Sequence, residues 1–453
     1  MTPSTPTLEQ LVLTLFAFLI IYLLNRRFAG EKGVSVIIFI LMIQWLQSII
    51  KILYADINYQ NMANYFKTPS EYQATYISLI CVFALGFGIY LGKEWRRGKK
   101  EDVELDISPL KDISFKTLFQ IYLGTVLFDI LFEGKLFAFP GLSQVGFFIS
   151  LLPYVAAFLV IVYVLYYKEH KWALYIIIVF EVAKGFVGYF SSFKTIFFVI
   201  IMASIVLQGG KFNYKLALKY LPFFTVLIVL ILFWQSIKGD YREALNKGQH
   251  SQSVDISMTE RFNILSEDLK QTTFANLLSS IDMTVDRVSY TELFGDVLEN
   301  VPNKVPYENG NLLVKAITNT LVPRIFDKSK GELDDSKDTR YYSGVHVATG
   351  EEGVSIGMGY ISYMYIDFGY GAILEAFIIG LIIGLIIRVF INKFGSNIIT
   401  LAFLIPILLS IMFVETSLPK TIGWIVSNSI LSYISANIFL KHYFGKSYQE
   451  VIS

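Results

Sequence analysis

The chain alternates long apolar runs with short polar connections over most of its length. A helix needs about 20 mostly apolar residues to cross a bilayer, and about eleven such runs are present. We predict membrane-spanning helices at 8–25, 34–54, 73–92, 114–132, 143–166, 172–190, 195–209, 217–236, 371–391, 397–415 and 421–440. These runs lack the apolar–polar alternation of barrel strands, so the predicted fold is an all-α polytopic membrane protein.

One long polar segment, residues 237–357, separates the eighth predicted span from the ninth. A connection of this length usually has its own structure and a function, and helical spacing of apolar residues at 259–278 and 311–321 predicts short helices within it. The chain therefore divides into spans one to eight (1–236), a large, partly helical external loop that we take as the catalytic part (237–357), and a C-terminal part with spans nine to eleven (358–453).

Composition agrees with lipid as the main solvent, because 54% of the 453 residues are hydrophobic and only 17% are charged. The net charge is +1, and the basic residues form short clusters between apolar runs. This is not the basic stripe that follows a nucleic-acid backbone, so we expect no nucleic-acid partner. The single cysteine, Cys81, excludes an intrachain disulfide.

Basic residues also predict the orientation of the spans. About eighteen Lys and Arg residues lie in the connections on one side of the predicted bundle and about four in the short connections on the other. The positive-inside rule then places the N-terminus outside, the C-terminus in the cytoplasm, and the 237–357 loop outside. We expect a multi-pass protein of the bacterial cytoplasmic (inner) membrane.

The sixth predicted span and its exit carry three charged candidates. Glu181 and Lys184 share one helical face, where they either neutralise each other as a packing pair or face a polar cavity. Lys194 follows at the outer mouth with no partner nearby in sequence. It is therefore a candidate contact for an anionic ligand.

Further cations occur where the eighth span ends and inside the loop. Lys238 and Arg242 lie one turn apart if that helix continues beyond the membrane, either as ligand contacts or as cations that reach lipid headgroups. Arg287 follows Asp286, for which a surface salt bridge is the simplest interpretation.

The most informative stretch is the helix predicted at 311–321, which a proline ends at position 323. Arg324 and Lys328 follow at once. A guanidinium binds phosphate through two parallel hydrogen bonds and an ammonium adds a point charge, so this pair is a candidate pyrophosphate clamp. A solvated basic loop is the alternative.

The loop continues with acidic residues and a glycine-rich stretch. Glu332, Asp334, Asp335 and Asp338 are interpreted as an exposed, solvated run rather than a metal site. Further on, His346, Glu351 and Glu352 are candidate general bases if they lie near a substrate hydroxyl.

The passage from residue 357 to the ninth span is too long for one simple crossing. A re-entrant piece broken at Gly369 and Gly371 would account for its length. Its tyrosines, including Tyr363, form either an interfacial belt or a platform for sugar rings, and Asp367 is a further candidate for substrate contact.

The order of these features resembles the O-antigen and exopolysaccharide repeat-unit polymerases, the Wzy-type family of polytopic membrane glycosyltransferases, which are GT-C-like. The resemblance covers mainly residues 180–391. It rests on the helix after Gly310 that ends before Arg324, and on the Asp367-Phe-Gly-Tyr-Gly passage, which is similar to that family's Asn-Phe-Gly-x-x-Gly. Lys194 departs from it, since the family tends to carry arginine there.

The resemblance implies transfer of a growing glycan from polyprenyl pyrophosphate to a sugar hydroxyl of a newly flipped, lipid-linked unit. Partners would be an undecaprenyl-pyrophosphate-linked oligosaccharide, membrane lipid, and possible accessory proteins, namely a chain-length regulator and a flippase. The residues assigned by this resemblance are Lys194, Arg242 and Arg324 with Arg287 or Arg340 as the diphosphate cradle, Lys238, Lys328, Tyr363 and Asp367 as further substrate contacts, and His346 or Glu352 as proton acceptor. Fixed cations would stabilise the leaving pyrophosphate, so no metal and no cofactor is required.

Two other classes fit the same sequence features. An O-antigen ligase would use the same donor but a lipid A acceptor. A flippase or transporter of lipid-linked sugars would distribute charges along several spans and show internal symmetry, and no internal repeat is found. A structural assembly partner would not need so long an external loop.

Overall fold

The computed structural model describes residues 5–28, 35–95, 105–138, 142–188, 192–209, 214–248, 256–321, 334–348 and 355–445. Within these ranges the chain folds into helices and their connections, and no β-strand is present. The helices are α1 Leu8–Phe28, α2 Ser35–Ile57, α3 Glu71–Glu94, α4 Phe115–Ala138, α5 Ser143–Tyr167, α6 Lys171–Val187, α7 Lys194–Leu207, α8 Tyr214–Leu245, α9 Met258–Gln271, α10 Phe274–Val288, α11 Thr291–Asn300, α12 Asn311–Leu321, α13 Asp335–Ser343, α14 Tyr360–Phe368, α15 Ala372–Phe394, α16 Ile398–Leu409 and α17 Leu418–Phe444.

Each of the eleven predicted spans overlaps one of these helices, although the ends differ, most of all for 397–415, where α16 ends at Leu409. In the part of the chain that is described, eight segments are long and apolar enough to cross a membrane: Leu8–Phe28, Val36–Ile57, Glu71–Glu94, Phe115–Phe132, Ser143–Tyr167, Tyr220–Leu245, Tyr360–Phe394 and Leu418–Phe444. The apolar helices α7 and α16 are shorter. The chain is thus a multi-pass helical protein by length and composition, whereas the count of eleven spans stays a prediction.

Helices α3 and α15 pack closely against each other. A Cβ atom on Gly384 would lie 2.2 Å from the Ile89 carbonyl oxygen, and one on Gly92 would lie 2.2 Å from that of Leu381. Only a residue without a side chain permits this approach of two backbones. The spacing of Gly380 and Gly384 in the sequence predicts such close helix packing, and the structure confirms it.

The polar segment after α8 is helical and docks on the bundle. The predicted helix at 259–278 is divided into α9 and α10, because Thr273 caps the second helix and Asn276 returns the bond in a capping box. Helix α10 packs against α8 and α2, and α11 packs against α3 and α13. These contacts fix the start of the long loop over one end of the bundle.

The passage into α15 is broken, as predicted. Helix α14 ends at Phe368, a single 3₁₀ turn spans Gly369–Gly371, and α15 begins at Ala372. Gly369 has a φ of 57°, a left-handed conformation that favours glycine. The break is a feature of the fold, and its re-entrant position in a membrane stays a prediction.

Candidate anion-binding site

Four predicted cations converge at one end of the bundle. Lys194 begins α7, Lys238 and Arg242 lie one turn apart near the end of α8, and Arg287 lies near the end of α10. The charges of Arg287, Arg242 and Lys194 all act on Lys238, and that of Arg287 also acts on Lys194. We call Lys194, Lys238, Arg242 and Arg287 the cation cluster.

Aromatic packing holds the Lys194 end of the cluster. The Phe186 ring stacks on that of Phe193 with centroids 4.4 Å apart, and a Cβ on Gly185 would meet the Phe193 backbone nitrogen at 2.3 Å. Lys194 is half-buried, and its Nζ lies 5.9 Å from the centroid of the Phe413 ring. Apolar surroundings weaken solvent screening, so the charge of Lys194 acts strongly on nearby groups.

Helix α8 continues past the apolar run to Leu245, the condition under which the sequence places Lys238 and Arg242 one turn apart, and so carries two cations into the cluster. Lys238 Nζ donates to Gln235 Oε1 at 2.8 Å on the preceding turn. Between the two cations in sequence, Tyr241 is fully buried and its hydroxyl donates to the Val187 carbonyl at 3.4 Å. This buried tyrosine anchors the end of α8 against the end of α6, and Lys238 and Arg242 remain half-buried beside it.

Two groups that sequence reasoning missed complete the site. Arg287 Nη1 donates to the buried Tyr290 hydroxyl at 3.3 Å, and the charge of Glu415 acts on that hydroxyl. Burial raises the pKa of Tyr290 well above its ordinary value, and the charge of Glu415 raises it further. The Tyr290 hydroxyl therefore keeps its proton and lies between a guanidinium and a carboxylate.

Glu415 comes from a distant part of the chain. The predicted tenth span, 397–415, includes it, but α16 ends at Leu409 and leaves Glu415 in the connection to α17. Its charge acts on Lys194 and on Arg287. In the sequence, the only sign that Glu415 could belong to the site is that a charged residue stands at the end of an apolar run.

Gln47 of α2 holds both new groups in place. Its backbone carbonyl accepts from the Tyr290 amide at 3.4 Å, and its side-chain Oε1 accepts from the Val414 amide at 3.0 Å. The Tyr360 amide donates to the Val414 carbonyl at 3.0 Å. The connection that carries Glu415 is therefore fixed by backbone hydrogen bonds on both sides of Val414.

A buried ionic network supports the neighbouring end of α2. Lys51 Nζ lies 3.0 Å from Glu71, 2.9 Å from Glu292 and 3.4 Å from Asp286, and the lysine side chain is only 1% exposed. Asp286 thus forms its salt bridge with a buried lysine of α2 rather than at the surface. This contact fixes the turn of α10 from which Arg287 reaches Tyr290.

A second charged group lies between α4 and α6. The predicted pair is present, with Lys184 Nζ 3.2 Å from Glu181, and Asp129 adds a contact at 3.0 Å. Tyr122 donates to Glu181 Oε1 at 2.9 Å. Two buried carboxylates therefore face one ammonium, an arrangement that sequence reasoning missed because Asp129 lies on another helix.

Other predicted site residues take different positions. Arg340 on α13 donates through Nε to the Val347 carbonyl, and His346 is exposed after that helix. No hydrogen bond or ion pair in the described ranges brings His346 to the cation cluster. Arg324, Lys328 and Glu352 lie outside the described residues.

The two candidates next to the broken passage, Asp367 and Tyr363, form hydrogen bonds within the protein. Asp367 accepts hydrogen bonds from the backbone amides of Leu312 at 3.0 Å and Leu313 at 2.7 Å. Tyr363 is fully buried and donates to Asp338 at 3.0 Å. Asp367 thus caps the start of α12, and we no longer place either side chain in the ligand site.

Two broader interpretations of this region are corrected by burial. Tyr360, Tyr363 and Tyr365 belong to the core, so they form neither an interfacial belt nor a sugar platform. The acidic run is not simply solvated, because the buried Asp335 lies 2.6 Å from Lys420 Nζ. Asp334 caps α13 by accepting from the backbone amides of the first turn.

The fold and the site together define a class of protein. It is an all-helical, multi-pass membrane protein with a cation cluster at one end of its helix bundle. The chain belongs to the family described as Domain of unknown function (DUF8712), which matches residues 34–447. No curated protein and no solved structure matches it. The family match includes all four cations, Tyr290 and Glu415.

Proposed function

We propose that this protein polymerises lipid-linked oligosaccharide repeat units at the outer face of the bacterial cytoplasmic membrane. It would transfer the glycan from polyprenyl pyrophosphate to a sugar hydroxyl of an incoming unit. The observation that supports this most directly is the convergence of Lys194, Lys238, Arg242 and Arg287 at one end of the bundle. A diphosphate leaving group is the kind of anion that such a cluster fits.

The charge balance of the site favours a multiply charged anion. Four cations and one carboxylate give an excess of positive charge in a region that is partly shielded from water. Negative charge increases on the diphosphate as the glycosidic bond breaks. Cations that are already in position stabilise that charge without reorganisation, which is the main source of catalysis for such a leaving group.

Helices α9 and α10 support a lipid-linked rather than a soluble substrate. Both are amphipathic, and apolar side chains on them are exposed, including those of Phe262, Leu269, Phe274 and Leu278. Such helices lie in the interfacial plane of a bilayer with the apolar side toward the acyl chains. A polyprenyl tail would then lie in lipid while its diphosphate enters the cation cluster.

The predicted clamp of Arg324 and Lys328 remains part of this proposal. Both residues follow α12 in the sequence and lie outside the part of the chain that the structure describes. Arg324→Ala should then abolish long chains while membrane insertion is retained. Full-length polymer in cells that carry this variant would remove Arg324 from the site.

The direct test is a transfer assay with purified protein in lipid nanodiscs and a lipid-linked repeat unit as both donor and acceptor. The wild type should give a ladder of products, and Arg287→Ala should reduce the rate about a hundredfold, as expected for the loss of one well-placed donor. Arg261→Ala is the matched control, because Arg261 also lies after α8 but donates to the Ile256 carbonyl. Equal loss in both variants would contradict the assignment.

A second candidate, a flippase of lipid-linked sugars, is favoured by one observation. Asp129, Glu181 and Lys184 form a charged group within the helices α4 and α6, and intramembrane charges often mark ion or substrate pathways. Ion-coupled movement of a labelled lipid-linked sugar across vesicles, without any glycosyl transfer, would support this candidate and oppose the polymerase.

A further inference from the structure

Glu415 lies beside the cation cluster, in the connection between α16 and α17. It follows Phe413 by two residues, and the Phe413 ring centroid lies 5.9 Å from Lys194 Nζ. The charge of Glu415 acts on Lys194 and on Arg287, which belong to two different helices of the cation cluster. Among the residues that the structure describes, no other carboxylate acts on these two cations. Glu415 is half-buried, so a substrate hydroxyl can approach it.

We infer that Glu415 is the general base that removes the proton from the acceptor sugar hydroxyl, with Tyr290 as the residue that positions it. This inference rests on the proposed transfer reaction. It replaces the candidates from the sequence, since His346 is exposed beyond α13 and both Glu351 and Glu352 lie outside the described residues.

The step balances in protons and electrons. The acceptor oxygen forms a bond to the anomeric carbon of the donor glycan, and its proton passes to the Glu415 carboxylate. The bond between the anomeric carbon and the pyrophosphate oxygen breaks, and the electron pair leaves with the polyprenyl pyrophosphate. No oxidant, reductant or further reactant is needed.

The position of Glu415 beside the cations links the two halves of this step. When the carboxylate takes the proton, its negative charge disappears and no longer offsets the charges of Lys194 and Arg287. The positive potential at the cluster therefore rises while negative charge develops on the leaving diphosphate. A base placed far from the cations would not provide this coupling.

Tyr290 lies next to one cation of the cluster and to the connection that carries Glu415. Its hydroxyl accepts from Arg287 Nη1 at 3.3 Å, and the charge of Glu415 acts on that hydroxyl. The Tyr290 backbone and the Glu415 connection are both held by Gln47. Tyr290 and Glu415 are thus held in fixed positions relative to each other.

The test compares Glu415→Gln with the wild type in the nanodisc transfer assay across a range of pH. Glutamine keeps the shape of the side chain but cannot take a proton. We expect kcat to fall by about a hundredfold to ten-thousandfold, the range of general-base catalysis, with little change in the KM of the lipid-linked donor. The acid limb of the pH–rate profile should disappear in Glu415→Gln.

Two further variants keep the inference falsifiable if Glu415→Gln folds poorly. Glu415→Asp retains a carboxylate and should keep the acid limb at a reduced kcat, and Tyr290→Phe should reduce kcat less than Glu415→Gln does. Glu299→Gln, at an exposed glutamate of α11, is the matched control and should behave as the wild type.

The outcomes separate the two proposals. If the wild type transfers glycan and Glu415→Gln retains its kcat within about twofold, the general-base inference is overturned and the polymerase proposal stands. If the wild type transfers nothing from an authentic lipid-linked donor, the polymerase proposal fails and the inference fails with it.

Discussion

The Arg287 guanidinium donates a hydrogen bond to the Tyr290 hydroxyl at 3.3 Å. This contact joins the end of α10 to the start of α11. A guanidinium stays protonated at every pH at which the protein would be studied. The guanidinium therefore remains a cation and is available to bind an anion.

The packing of α3 on α15 predicts a sharp sensitivity to side-chain size at Gly384. The Cβ of Gly384→Ala would meet the Ile89 carbonyl oxygen at 2.2 Å, so the two backbones must separate, at a cost of about 1–3 kcal/mol. Gly124→Ala on α4 is the control, since nothing lies within 4 Å of its Cβ. It should be neutral or stabilising. Thermal unfolding in detergent measures both, and equal midpoints for the two variants would contradict the close approach.

Loss of the buried lysine in α2 should destabilise the protein strongly. Lys51→Met leaves the buried carboxylate of Glu71 and the partly buried one of Glu292 without their shared cation, at a cost of about 3–5 kcal/mol. Lys67→Ala removes a cation from the same Glu292, but the Lys67 side chain is 60% exposed. That change should cost about 1 kcal/mol or less. Denaturant titration measures the free energy of unfolding of both variants. Equal losses in Lys51→Met and Lys67→Ala would contradict this account.

Stability should depend on pH through Asp296. Burial, with added repulsion from Glu292, raises the pKa of Asp296 to about 6. The folded state therefore holds this proton more tightly than the unfolded state, and stability present at pH 4 is lost as the pH rises through 6. Asp296→Asn has no carboxyl group to ionise, so this variant does not lose that stability as the pH rises.

The unfolding midpoint of Asp296→Asn should accordingly exceed that of the wild type at pH 8 and approach it at pH 4. Glu243→Gln, at an exposed site on α8, should follow the wild type at both values. A constant difference between Asp296→Asn and the wild type at all pH values would rule out this titration.

Removal of the Asp367 carboxylate should loosen α12. Asp367 accepts from the amides of the second and third residues of that helix, Leu312 and Leu313, at 3.0 and 2.7 Å, and Asp367→Ala should cost about 1–2 kcal/mol. Asp367→Asn keeps one acceptor and should lose less. Hydrogen exchange at 311–321 reports the effect directly, and unchanged protection in Asp367→Ala would show that the cap does not hold the helix.

Local patterns in the sequence predicted local features of the structure. The spacing of Gly380 and Gly384 predicted a close helix contact, and the one-turn spacing of Lys238 and Arg242 predicted a shared position beyond the apolar run. Each of these patterns lies within one helix, so the sequence periodicity is sufficient to detect it.

Contacts between distant segments were not predicted, because nothing in one segment specifies its partner. Glu415 was included in an apolar span, and only the end of α16 at Leu409 places it in a connection. Asp367 was read as a substrate contact, whereas its partners on α12 lie far away in sequence. Tyr290 is one of many tyrosines, and its burial between Arg287 and Glu415 depends on how α10, α11 and the α16–α17 connection meet.

The central claim is that the cation cluster binds a lipid-linked diphosphate, and calorimetric titration of the protein in nanodiscs with farnesyl pyrophosphate tests it most directly. The wild type should bind this probe and not farnesol, and Arg287→Ala should weaken binding about tenfold to a hundredfold, the value of one charge-assisted hydrogen bond. Arg261→Ala should bind as the wild type does. Equal binding of farnesyl pyrophosphate and farnesol, or unchanged affinity in Arg287→Ala, would contradict the claim.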